Sequence, residues 1–253
     1  MSRNAVTPLC RRVRQQIIGR LEICEESFRR QAGNLVLHGV LHRPVAAQDA
    51  LLLAHSAGSN YNSPLLQAVS RAVAAEGVLV LRFDLPFRQI HRFGPPRPGD
   101  AANDRNGIRA ALEELRRLVP GRVFAGGHSY GGRQTSMLAA EVPELVSGLL
   151  LLSYPLHPPR RPQQMRTEHL PRLRCPALFV HGTRDPFATA GEMSEALRLI
   201  PAPTKLELVE NAGHDLGFSG KKHNEAAAQQ IAAAFRDFHL IGKSAPESGH
   251  HAP

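Results

Sequence analysis

The run Gly126-Gly127-His128-Ser129-Tyr130-Gly131-Gly132 constrains this chain more than any other stretch. It closes the apolar segment Val123-Phe124-Ala125 and opens a segment that reads as a helix over 130–141. A serine held between a buried strand and a helix must adopt an unfavourable backbone conformation. Side chains two residues to either side of it would collide with the neighbouring elements, so glycine is needed at both places. That is the physical content of the G-x-S-x-G pattern, met here by Gly127-His128-Ser129-Tyr130-Gly131. The same turn aims the helix N-terminus, with its free backbone N–H groups, at whatever charge develops beside the serine. Ser129 is therefore the candidate nucleophile.

Two more strand ends deliver partners for it. The apolar run Ala177-Leu178-Phe179-Val180 is followed by His181-Gly182-Thr183-Arg184-Asp185-Pro186-Phe187, which puts Asp185 on a loop. The alternating segment Lys205-Leu206-Glu207-Leu208-Val209 is followed by Asn211-Ala212-Gly213-His214-Asp215, which does the same for His214. Serine, acid and histidine in this order, each after its own strand, form a candidate acyl-transfer constellation. Asp215 adjoins His214 too closely to turn back on the ring and reads as a loop-capping residue. A fourth run, Ala50-Leu51-Leu52-Leu53-Ala54, empties into His55-Ser56-Ala57-Gly58-Ser59-Asn60. By resemblance to the α/β-hydrolases, whose corresponding loop carries a glycine where Ser56 stands, Ala57 and Tyr130 are the candidate backbone donors of an oxyanion hole, and His55 is expected to brace the loop.

On these residues the chain resembles the α/β-hydrolases. More narrowly, it resembles the dienelactone-hydrolase-like group related to testis-expressed protein 30 and to subunit 3 of the NSL chromatin complex. The resemblance is carried by Leu51 to Ser63, Val78 to Arg88, Ala125 to Arg133, Ala177 to Phe187 and Asn211 to Phe218. The narrower likeness rests on the wording R-F-D-L-P-F-R and S-Y-G-G-R. The resemblance implies an α/β fold with a mostly parallel sheet of about eight strands and helices on both faces. It also implies a serine hydrolase acting on a carboxylic ester or thioester. Some relatives serve as interaction domains, so a catalytically silent domain is the alternative.

Composition limits the remaining classes. The 253 residues suffice for one large core. No apolar run approaches the eighteen or so residues that cross a bilayer. Cys10, Cys24 and Cys175 are few, odd in number and without metal-ligand spacing, which points to a reducing, cytoplasmic setting. No metal or cofactor is expected. The net charge of +9 invites a nucleic-acid reading, but the arginines are scattered and aromatics make up only 5%. The expected partner is a small acyl substrate, with an anionic one favoured if basic residues rim the pocket.

Organisation follows from the pattern. Residues 1–20 are arginine-rich without acids and read as an N-terminal extension. Val13, Ile17 and Leu21 could share a helical face there, as in a targeting helix. Residues 21–241 form the hydrolase-like domain, opening with a hairpin over 22–43 broken at Gly33-Asn34. Further helices are expected at 65–75, 101–118, 190–199 and 225–238. Residues 242–253 read as a disordered polar tail. The proline-rich insertions 85–99 and 155–174 both follow strands, and 155–174 is expected to form a reduced cap whose Arg160, Arg161 and Arg166 face anionic groups. Arg133, one turn into the helix after Ser129, is expected to pack or pair structurally, or else to bind a substrate carboxylate.

Overall fold

The computed structural model describes residues 15–18, 21–220 and 223–241. The rest of the expected N-terminal extension and the tail 242–253 lie outside the described residues. Among those described, nine strands form one sheet in the order β1-β2-β3-β5-β4-β6-β7-β8-β9. The strands are β1 (Gln15–Ile18), β2 (Leu21–Ala32), β3 (Leu35–Pro44), β4 (Ala50–Ala54), β5 (Leu79–Phe83), β6 (Val123–His128), β7 (Leu149–Leu152), β8 (Ala177–Gly182) and β9 (Thr204–Val209). The expected hairpin is present as β2 and β3, turning through Gly33 at φ 57°. From β4 onward the neighbouring strands run parallel. One addition to the expected sheet is β1. It pairs antiparallel with β2, so Gln15–Ile18 is an edge strand rather than part of a helical face.

Alternation within buried strands builds two cores. Successive side chains on a strand point to opposite faces. In β4, Ala50, Leu52 and Ala54 join one cluster, while Leu51 and Leu53 join the other, and all five are fully buried. The first cluster is covered by α3 (Asp100–Arg116), α4 (Tyr130–Glu141) and α5 (Ala190–Leu197). The second is covered by α1 (Pro64–Ala75) and α6 (Glu225–Phe235). Covering both faces is what allows strands apolar at every position, since each buried leucine contributes about 1.5–3 kcal/mol relative to exposure.

The order also fixes where a ligand can enter. The chain leaves β4 through α1 to β5 on one side, then returns through α3 to β6 on the other. The carboxyl ends of β4 and β6 therefore flank the point at which the winding reverses, the crevice where open α/β sheets bind ligands. The insertion 85–99 is not wholly irregular: it contains a short helix, α2 (Pro86–Ile90), started by proline at its first turn. The insertion 155–174 has one 3-10 turn, Leu170–Arg172, and anchors itself with Leu156, Leu170 and Leu173, all fully buried.

Candidate active site

Ser129 stands between β6 and α4 with φ 52° and ψ −115°, the strained conformation expected of it. The glycines around it are required by close approach. A Cβ on Gly127 would overlap the carbonyl oxygen of Ala54, and one on Gly131 that of His55. Both glycines thus let the turn press against the end of β4, which draws Ser129 toward the loop after that strand.

The structure brings Ser129, His214 and Asp185 together. His214 Nε2 lies 2.8 Å from Ser129 Oγ, and His214 Nδ1 lies 2.8 Å from Asp185 Oδ2. An ionised carboxylate only accepts hydrogen bonds, so Nδ1–H donates to Asp185 and the Nε2 lone pair is left facing the serine hydroxyl. The Asp185 side chain has no exposed surface, and its other oxygen accepts the N–H of Phe187 at 2.9 Å. Phe187 stacks on the His214 ring with centroids 4.1 Å apart. Asp215 has no such role: its Oδ1 accepts the N–H of Gly217 at 3.0 Å, capping the loop as expected.

Three further histidines hold these loops. His55 is fully buried, donating from Nδ1 to the Ser56 carbonyl at 2.8 Å and accepting the Leu85 N–H on Nε2 at 3.1 Å, which is the bracing role expected of it. His128 donates from Nε2 to the backbone carbonyl of His214 at 2.7 Å. His181 donates from Nε2 to the Ala188 carbonyl at 2.8 Å and so ties down the loop carrying Asp185 and Phe187.

Burial, the largest influence on each, lowers His55, His128 and the buried His169 to about 4. An unfolded histidine takes up its proton near pH 6.5. Between pH 6.5 and 4 the unfolded chain therefore binds protons that the folded chain refuses, so stability from these rings is complete above that window and lost through it. In urea unfolding, acidification from pH 7 to 5 is expected to cost on the order of 1–2 kcal/mol per ring. His169→Gln should flatten that dependence, and an equally steep slope in the variant would show that the ring is not held neutral.

Ala57 and Tyr130 both border a cleft of about 330 Å³, together with Ser129, Arg133, Pro155, Arg166 and Phe187. Tyr130 is the first residue of α4, where backbone N–H groups lack partners within the helix. Its phenol turns away to donate to Asp104 Oδ2 at 2.7 Å. The cap arginines separate. Arg166 lines the cleft, whereas Arg160 and Arg161 are exposed and lie outside its lining.

Two supporting residues carry no role in the sequence reading. Arg88, 7% exposed, donates to the carbonyls of Ala57 (2.7 Å), Ser59 (2.7 Å), His91 (2.9 Å) and Gly94 (2.9 Å). It thereby fixes the loop that carries Ala57. Asp104 accepts from the Phe87 N–H at 2.9 Å as well as from Tyr130, locking α2 and α4 to α3. A signal for Asp104 existed: it lies in register with Ile108, Ala111, Leu112 and Leu115 on the buried stripe of α3. An acid on an apolar stripe must find donors.

Residues 47–240 match the family described as alpha/beta hydrolase domain, so the class of protein is an α/β-hydrolase. The chain belongs to that family. Solved structures share the fold. A dienelactone hydrolase from Anabaena variabilis is 23% identical with a TM-score of 0.68, covering 86% of this chain and 99% of that one. An α/β serine hydrolase homologue from Coxiella burnetii is 16% identical with a TM-score of 0.66, covering 83% and 96%. A Xanthomonas campestris member of the α/β serine hydrolases described as without lid is 16% identical with a TM-score of 0.65, covering 88% and 97%. No helix among the described residues is long and apolar enough to cross a membrane.

Proposed function

We propose that the protein is a serine hydrolase that cleaves a carboxylic ester or thioester through an acyl-serine intermediate. The observation that carries this reading is the continuous relay from Ser129 Oγ through both nitrogens of His214 to the buried Asp185, each link 2.8 Å. Ser129 Oγ attacks the acyl carbon as His214 Nε2 takes its proton, and Asp185 stabilises the imidazolium. The backbone N–H groups of Ala57 and Tyr130 receive the developing oxyanion, at roughly 3 kcal/mol per donor in comparable sites. His214 then protonates the leaving group, and the same ring activates water to free the acid. The R-F-D-L-P-F-R and S-Y-G-G-R segments favour the group related to testis-expressed protein 30 and NSL subunit 3, and the sparse, unpatterned cysteines favour the cytoplasm.

A fluorophosphonate probe tests the reading, because it modifies only a serine whose hydroxyl is activated. One equivalent of label on Ser129 is expected. A folded protein that takes up none would identify a catalytically silent domain and overturn the proposal.

A further inference from the structure

The cleft beside Ser129 holds two cations. Arg133 lies on α4 one turn beyond Ser129, its N–H donating to the Ser129 carbonyl at 2.9 Å, so the helical repeat puts it on the nucleophile's side of α4. Arg166 comes from the opposite wall, where its Nη1 donates to the Pro155 carbonyl at 3.2 Å and its own carbonyl accepts the Tyr154 hydroxyl at 2.6 Å. Both border the 330 Å³ cleft. Among the described residues neither forms an ion pair with a carboxylate, although most other buried or half-buried arginines near the sheet do, such as Arg71 and Arg82 with Glu25. Arg133 Nε is buried with no hydrogen-bond partner. Glu168, the acid whose charge reaches Arg166, is exposed and outside ion-pair distance.

Arg133 reaches the Tyr154 hydroxyl and Arg166 the Pro155 carbonyl, but both partners are neutral, so two guanidinium charges face one cleft with no carboxylate between them and repel each other. Desolvation first, and then the Arg133 charge, lower the pKa of Arg166. Such an arrangement stores a cost that an anion placed between the groups removes. Guanidinium forks match a carboxylate with paired hydrogen bonds. The cleft is open to solvent on one side, so a small acid ester can place its scissile carbonyl at Ser129 and its free acid between the two arginines.

We propose that Arg133 and Arg166 clamp a carboxylate of the substrate, making this site selective for small esters or thioesters that carry a free acid near the scissile carbonyl. This rests on the hydrolase reading above. It replaces the expected trio of cap arginines with one cap residue and one residue of the helix that follows the nucleophile.

The test compares p-nitrophenyl acetate with two acidic esters, mono-p-nitrophenyl glutarate (acid on the acyl side) and 4-acetoxybenzoate (acid on the leaving-group side). In the Arg133→Gln, Arg166→Gln double variant, kcat/KM for at least one acidic ester is expected to fall about tenfold or more beyond any fall for the neutral ester. Arg133→Lys should restore part of the difference. Equal losses on all three esters would reduce the arginines to packing, and no loss on any would place them outside recognition; either result overturns the clamp. A second measurement is independent of turnover. In Ser129→Ala protein, glutarate should raise Tm, and the added double substitution should abolish the shift. If the wild type accepts neither ester nor fluorophosphonate, the hydrolase reading fails, while the glutarate shift still decides the anion site: its presence supports the clamp and its absence sinks it.

Discussion

Ser129→Ala is expected to lower kcat for ester hydrolysis by on the order of 10⁵–10⁶, leaving the remnant that backbone donors and binding supply alone. The size of the effect follows from the relay. Without Oγ there is no atom to form the acyl bond, and His214 Nε2, which meets that oxygen at 2.8 Å, has nothing to deprotonate but water. The fold should survive. Alanine loses one hydroxyl in a place where the backbone strain at φ 52° is set by the Gly127 and Gly131 contacts with β4 and is common to both side chains. Unfolding free energies of variant and wild type from urea titration should therefore agree to within about 1 kcal/mol. Turnover within tenfold of wild type in a folded variant would remove Ser129 from the mechanism.

The sequence carried the frame of this site because the frame is made of backbone constraints. Only glycine fits where Gly127 and Gly131 meet Ala54 and His55, and only a strand buried on both faces reads Ala-Leu-Leu-Leu-Ala. Strands ending in loops, apolar before Ala57 and Asp185 and alternating before His214, located those residues for the same reason. What the sequence hid was the fate of long polar side chains. Arg160, Arg161 and Arg166 lie in one proline-rich segment with no period to tell an exposed arginine from one facing the cleft. The distinction is made by Leu156, Leu170 and Leu173, which anchor the segment in the core. Arg88 was equally opaque: its four carbonyl partners come from two loops brought together only by the fold. Gln15–Ile18 was misleading because four residues of an edge strand supply too little alternation to outweigh a chance four-residue spacing of Val13, Ile17 and Leu21.

Two acids beside His214, one in space and one in sequence, separate the proposed mechanism from its nearest rival. Asp185→Asn is expected to lower kcat by about 10⁴, whereas Asp215→Asn should change it less than tenfold. An amide at 185 presents a donor as well as an acceptor, and with the Phe187 N–H already claiming one position, the NH₂ group can turn toward His214 Nδ1. The ring would then carry its proton on Nε2 and have no lone pair for Ser129. Asp215 is engaged elsewhere. Burial pushes its pKa up, but the Ser219 hydroxyl and the Gly217 and Ser219 backbone N–H groups outweigh this and hold it below the ordinary carboxylate range. Those bonds shape the loop without touching the imidazole, so an asparagine that keeps the acceptor oxygen should keep the loop. Single-turnover acylation with p-nitrophenyl acetate reads the difference directly. The reverse ranking would transfer the orienting role to Asp215, and equal, small effects would mean that His214 needs no carboxylate, which its 2.8 Å contact with a wholly buried Asp185 argues against.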